Sequence, residues 1–186
     1  KMLRTLIAMA YQTGKIGVFL EPIALYGTKD LNEPGDGLWM GQYPDLGESI
    51  APGEVASVGE GEIQVISFAN GYYLARQAQH ELANKHQIAI KVIDLRWLSP
   101  LPMASLIKAL KGAKAILIVD ETRSSGSVSE GLTTLLLEQM RHQCPIKRLT
   151  AEDCFIPLGP AMQLMLPSKA QIIEAVMSME TGFHSL

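Results

Sequence analysis

From residue 62 onward the apolar positions of this chain alternate between two rhythms. Short continuous apolar runs are followed by stretches in which apolar residues recur every three or four positions, the signatures of strand and of amphipathic helix. Residues 63–69 (IQVISFA) read as a strand. Residue 71 to about residue 86 reads as a helix, with Leu74, Ala78 and Leu82 aligned at i, i+4 and i+8. Residues 88–95 (IAIKVIDL) form the next strand; Pro100 and Pro102 then introduce a helix carrying Leu106, Ile107 and Leu110, which stops at Gly112. Residues 115–119 (AILIV) are the unbroken apolar run expected of a central strand buried on both faces. Ser127 and Glu130 have capping-box spacing, and the helix behind them buries Val128, Leu132, Leu135, Leu136 and Met140. Residues 146–149 are a short strand. Ser168 and Gln171 make a second capping box ahead of a final helix with Ile172, Ile173 and Val176 inward. Such alternation specifies a three-layer α/β domain: a mainly parallel sheet, right-handed crossovers, helices on both faces.

The first sixty residues follow different rules. Residues 3–11 place Leu3, Leu6, Ile7 and Ala10 on one helical face, Gly14 stops that helix, and residues 16–20 (IGVFL) read as a strand. One helix and one strand cannot close a core of their own, so they are expected to be the end of a preceding domain. Residues 27–61 hold eight of the 16 glycines and three of the 10 prolines, with Asn32, Asp36 and Asp45 in turn positions. That stretch is expected to be an interdomain strap lying across a surface, with Trp39 and Tyr43 as its anchors. Residues 181–186 are expected to fray.

Composition narrows the classes. The chain has 186 residues, is 47% hydrophobic and 19% charged, and carries a formal net charge of −3. Those values are globular, and they leave no basic footprint for nucleic acid or an anionic membrane. No apolar run is long enough to span a bilayer, and no signal-peptide pattern opens the chain. Cys144 and Cys154 lack metal-type spacing and read as reduced thiols. His80, His86, His142 and His184 are scattered, which argues against a metal site. No phosphate loop, dinucleotide fingerprint or nucleophile elbow occurs.

In open α/β sheets ligands sit outside the carboxyl ends of the strands, and three strand ends carry chemistry here. Asn70-Gly71 is either an anion-facing helix start or an ordinary strand-to-helix turn. Asp94 and Arg96, two apart on a strand, point the same way; they either hold the following loop as an ion pair or reach a common partner. Asp120, Glu121 and Arg123 emerge from the central strand into Ser124-Ser125-Gly126-Ser127. Function is often carried on such loops, yet a carboxylate there can equally satisfy amides at the helix start.

Four strings, FLEPIALY (19–26), DLRWLSPLP (94–102), IVDETRSSGSVSEG (118–131) and DCFIPLGP (153–160), with Leu166-Pro167 ahead of the last helix, occur in an order and spacing that resemble the β-type half of the decarboxylating component of thiamine-dependent 2-oxoacid dehydrogenases. GDGLWMGQYP (35–44) resembles the linker of single-chain versions in which α- and β-type halves are fused. The resemblance implies a five-stranded sheet of the transketolase C-terminal type over residues 62–186. It also implies that residues 1–26 are the remnant of a pyrimidine-binding thiamine domain, with 27–61 as the interdomain linker. The parent would use thiamine diphosphate and magnesium to decarboxylate a branched 2-oxoacid such as 2-oxoisovalerate, or pyruvate, and would pass the acyl group to a lipoyl arm. The segments holding the cofactor would lie upstream of Lys1, so no catalytic, cofactor-binding or metal-ligating residue and no activity are expected here. The implied partners are the rest of the parent chain or an α-type subunit, a homodimer counterpart and the lipoyl transacylase of a multienzyme complex, in the cytoplasm or, in a eukaryote, the mitochondrial matrix. Glu121, Arg123, Ser124, Ser125, Asp94 and Arg96 are the candidates for rim and dimer contacts. Glu152 and Asp153, with the C-terminal tail, are the candidates for docking the transacylase, whose binding domain is typically basic. Relatives often carry Gly-Gly where this chain has Gly126-Ser127, which puts contacts carried over to that loop in doubt. The competing expectations are the equivalent domain of a transketolase or deoxyxylulose-phosphate synthase and, from another class, a stand-alone flavodoxin-like ligand-binding module.

Overall fold

The structure is a computed structural model that describes residues 1–140 and 144–183. Its centre is a five-stranded sheet in the order β1-β3-β2-β4-β5, comprising β1 (Ala56–Val58), β2 (Ile63–Ser67), β3 (Ile90–Asp94), β4 (Ala115–Arg123) and β5 (Ile146–Ala151). The inner pairings are parallel, and β1 joins β3 antiparallel at the edge. Connecting β2 to β5 in turn are α2 (Ala69–Glu81), α3 (Met103–Ala109) and α4 (Val128–Gln139); α5 (Lys169–Phe183) follows β5, and α1 (Met2–Thr13) precedes the sheet. The five-stranded α/β sheet read from the periodicity and the resemblance is the observed architecture.

Side-chain alternation along the strands divides the core into two layers. Val65, Val92, Leu117 and Val119 face α2 and α5, meeting Ala75, Ala78, Leu82, Ile172 and Val176. Ile66, Ile93, Ile116 and Ile118 face α3 and α4, meeting Leu106, Leu110, Leu132 and Leu136. Residues 115–119 are therefore apolar throughout because neither side of β4 sees water. Glu81 ties the two helices of one layer together: Lys169 of α5 at 2.7 Å and Lys85 at 2.9 Å both donate to its carboxylate, which they hold down to about 2.

One of the two capping boxes closes in full and the other in a shifted form. Ser168 Oγ accepts from the Gln171 amide at 3.3 Å while Gln171 Oε1 accepts from the Ser168 amide at 2.9 Å. Ser127 Oγ likewise accepts from the Glu130 amide at 3.3 Å, but Glu130 returns one residue earlier, taking the Gly126 amide at 2.6 Å.

Several expectations are corrected. Residues 16–20 are not a strand: no described strand pairs with them, and Ile16 and Leu20 are 94% and 71% exposed. The first strand of the sheet, β1, lies inside the stretch read as linker, so the sheet begins at Ala56. The helix read from residue 71 begins at Ala69 and ends in a wide turn, Leu82–His86, closed by Gln87 in the left-handed region. Trp39 packs edge-on against Tyr73 at 4.9 Å and tilts against Tyr72 at 6.0 Å, but Tyr43 is 88% exposed, with the Arg4 guanidinium 5.7 Å from its ring centroid.

Candidate functional site

The carboxyl ends of β2, β3, β4 and β5 carry the residues singled out by sequence. Ser67, the last residue of β2, donates from Oγ to the Val119 carbonyl of β4 at 2.8 Å and locks the two central strands together. The chain then turns sharply into α2 through Phe68, which has extended backbone angles, and Ala69, at φ 52°. Gly71 follows because a Cβ there would strike Ser67 Oγ and lie 3.4 Å from the Val119 carbonyl oxygen. The Asn70-Gly71 pair is thus a close-packed strand-to-helix turn, and the Asn70 side chain is hydrogen-bonded to Glu121 of the neighbouring strand.

At the end of β3, Arg96 is not on the strand. It adopts φ 60°, and this reversal brings its Nε to 3.8 Å from Asp94 Oδ2 while its backbone amide donates to Asp94 Oδ1 at 3.2 Å. Burial pushes the Asp94 carboxyl up, partly offset by the Arg96 amide and charge. A second carboxylate, Glu54, lies 3.7 Å from Arg96 Nη1, just ahead of β1. Arg96 therefore pins the loop after β3 to the segment that leads into the edge strand.

The end of β4 is bulged. Register with β5 runs to Asp120↔Thr150 and resumes at Arg123↔Ala151, so Glu121 and Thr122 have no opposite residue and their side chains are re-aimed. Asp120 is 1% exposed and fully occupied: Oδ1 accepts from the Thr122 amide at 2.9 Å and its hydroxyl at 2.7 Å, and Oδ2 accepts from the buried Ser129 amide at 2.9 Å. It holds both the bulge and the first turn of α4. The loop beyond is stitched down as well. Arg123 Nε donates to the Ser125 carbonyl at 3.1 Å, Arg148 Nη1 to the Ser124 carbonyl at 2.9 Å, and the Ser125 amide to Asp153 Oδ1 at 2.9 Å, with the Ser125 hydroxyl on the other oxygen. Those Ser125 bonds, the Ser124 amide and the Arg123 charge hold the Asp153 carboxyl below the usual carboxylate range. Asp153 thus belongs with Arg123, Ser124 and Ser125 in one unit, while Glu152 beside it is exposed. Of the C-terminal tail, residues 184–186 lie outside the described residues, as does His142.

Glu121 is the acid of this group with the least conventional surroundings. Burial pushes its carboxyl up, Asn70 hydrogen bonding opposes this, and the adjacent Asp120 charge adds to it. A folded-state pKa above the unfolded one means that the group's contribution to stability is full below its unfolded pKa and is lost as pH rises through the folded value. Glu121→Gln, which keeps the shape and removes the charge, is expected to gain stability relative to the parent as pH is raised from about 4 to about 7 in urea titrations. An unchanged difference across that range would contradict the assignment.

One feature is legible only in part. Residues 155–166 (FIPLGPAMQLML) contain no charged side chain, yet by sequence the segment reads only as family-like. The structure leaves it uncovered: Phe155 is fully exposed, Leu158 is 95% and Leu164 78% exposed, with Ile156 and Met162 partly so. This apolar segment begins two residues after the carboxylate that ties down Ser125. Among the described residues no group of three or more His, Cys, Asp or Glu is arranged to hold a metal ion.

Comparison with known proteins places this geometry. The family model for the transketolase C-terminal domain matches residues 53–172, starting just ahead of β1. The chain is 27% identical over 163 residues to the pyruvate dehydrogenase E1 component subunit beta of Rickettsia felis, covering 86% of this chain and 46% of that protein. It is 25% identical to the acetoin:2,6-dichlorophenolindophenol oxidoreductase subunit beta of Cupriavidus necator, covering 90% and 47%. A 1-deoxy-D-xylulose-5-phosphate synthase from Nitratidesulfovibrio vulgaris is 30% identical over 128 residues, covering 64% of this chain and 19% of that protein. Among solved structures, a split-gene transketolase described as an inactive beta4 tetramer superposes with a TM-score of 0.62 at 19% identity, covering 71% of this chain and 44% of that one. The chain spans about half the length of the β-subunit relatives.

Proposed function

Because this chain belongs to the transketolase C-terminal domain family, we propose that it is the assembly and partner-docking domain of a thiamine-dependent 2-oxoacid dehydrogenase of the β type. The observation that carries this reading is the uncovered apolar segment Phe155, Ile156, Leu158 and Leu164 beside the stitched loop of Arg123, Ser124 and Ser125. Monomeric soluble proteins rarely leave so much contiguous apolar surface in water, and a rigid loop next to it supplies polar contacts at the rim. The counterpart subunit packs against this surface. Glu152, exposed three positions before Phe155, is left to draw in a basic transacylase module.

The parent's chemistry is decarboxylation of a 2-oxoacid on thiamine diphosphate, with acyl transfer to a lipoyl arm. The described residues do not fit that cofactor. The start of α2 is filled by Ser67 and Gly71 packing, and Asp120 is saturated by donors of its own chain. No step of the reaction is assigned to these residues. Residues 1–26 are the closing segment of a pyrimidine-binding domain, a reading supported by the apolar Leu3, Ile7, Tyr11, Ile16 and Leu20 they expose.

Sedimentation at tens of micromolar tests the assembly role. The wild-type chain is expected to self-associate, and the double variant Phe155→Ser, Leu158→Ser to be monomeric with its stability unchanged within about 0.5 kcal/mol, as for exposed positions. A wild type that stays monomeric, or a variant that assembles equally well, would overturn the proposal. The synthase similarity favours a second reading, a thiamine enzyme acting on sugar phosphates. Assaying the parent with pyruvate, branched 2-oxoacids and sugar phosphates separates the two.

A further inference from the structure

The strap between α1 and the sheet is two structures. Its first part, residues 29–39, is organised around two carboxylates. Asp36 accepts four backbone amides: Leu31 and Leu38 on Oδ1, each at 2.9 Å, and Asn32 and Glu33 on Oδ2, at 2.7 and 3.0 Å. Asp30 accepts two more, from Gly35 at 2.8 Å and Gly37 at 2.9 Å. The loop is closed by the Trp39 amide donating to the Lys29 carbonyl at 3.0 Å.

This loop is fastened to α2 at every level of contact. Leu31 is 4% exposed. Tyr73 donates to the Asp30 carbonyl at 2.9 Å and Gln77 to the Leu31 carbonyl at 2.7 Å, while Trp39 rests on the rings of Tyr72 and Tyr73.

The second part, residues 43–48, is fastened to α1 instead. Arg4 donates to the Pro44 and Asp45 carbonyls and lies 5.7 Å from the Tyr43 ring centroid, and Lys1 pairs with Glu48. No residue of α1 is buried.

We infer that residues 29–39 form a preformed clasp on α2 that holds in place the N-terminal arm, made of α1 and the residues 43–48 bonded to it. The inference does not depend on the proposed assembly role. It follows from which bonds tie each half of the strap, whatever the sheet's partners are. The acid at the centre is strongly held in its ionised form, since the four amide bonds outweigh the desolvation that would raise it.

Three variants and two readouts test it. Asp36→Asn leaves an NH₂ group facing two amide donors, and Asp45→Asn is the control within the same strap. Trp39→Leu removes the ring contact with α2 but keeps the carboxylate turn. Amide hydrogen exchange reports the turn. Nitroxide labels at Ala8 of α1 and Thr134 of α4, with both cysteines replaced by serine, report the arm. In Asp36→Asn the amides of residues 31, 32, 33 and 38 are expected to exchange about tenfold faster or more, while β2–β4 amides keep their rates and the label distance distribution broadens. Trp39→Leu should broaden the distances with the turn amides still protected, and Asp45→Asn should change neither. The inference is overturned if Asp36→Asn leaves the four amides protected, if sheet amides accelerate with them, or if the distances stay narrow in both Asp36→Asn and Trp39→Leu.

Discussion

Asp120→Ala is expected to destabilise the domain by about 2–4 kcal/mol, far more than removal of an exposed acid, because the amide it leaves behind is buried. Three donors converge on this carboxylate, from the Thr122 amide, the Thr122 hydroxyl and the Ser129 amide. Ser129 is wholly buried at the start of α4, so its N–H gains no water when the acceptor goes. The loss also releases the bulge at Glu121 and Thr122, and with it the loop that presents Arg123, Ser124 and Ser125. Urea unfolding measures the total, and exchange of the residue 122 and 129 amides locates it. Asp120→Asn should fall between, since one oxygen survives and an NH₂ replaces the other. A loss under about 1 kcal/mol for the alanine variant would mean that water or a shifted backbone replaces the carboxylate, and would contradict the role of Asp120 as the joint between bulge and helix.

Leu117→Ala is expected to cost about 3–5 kcal/mol, the range for a leucine removed from a tightly packed core. Leu117 is wholly buried on β4, between β2 and β5, and its side faces the α2 and α5 layer. Strands on both flanks and two helices overhead limit how far the site can relax, which places the cost in the upper part of the series. Leu137→Ala makes the comparison within the same chain: Leu137 is 40% exposed on α4, and its loss should stay within about 0.5 kcal/mol. Equal losses at the two positions would contradict the core assignment.

Legibility in the sequence tracks whether a feature rests on local chemistry. Residues 115–119 can be read as a strand because a parallel strand buried on both sides is apolar at consecutive positions, and residues 63–67 and 90–94 because their Ile and Val residues are clustered within a short run. Ser127 and Ser168 can be read as caps because the box is closed within four residues. β1 leaves no such mark: three residues at a sheet edge, Ala56–Val58, need no apolar alternation when one side faces water. Residues 16–20 mislead in the opposite direction, since an apolar run looks the same whether or not neighbours exist to pair with it. Asp36 reads as a turn residue, but its four amides come from both sides of a loop whose closure depends on Trp39 and α2, a tertiary event. At the candidate site, Glu121, Arg123, Ser124 and Ser125 are legible as a loop. Their connection to Asp153, 28 positions beyond Ser125, is not, and by sequence Asp153 groups with Glu152 instead.

On the proposed assignment this domain assembles and docks, while cofactor chemistry belongs to other parts of the parent. Isothermal titration of thiamine diphosphate and magnesium into the 186-residue chain measures this directly. No saturable heat is expected at cofactor concentrations up to about 1 mM, and micromolar or tighter binding would contradict the assignment.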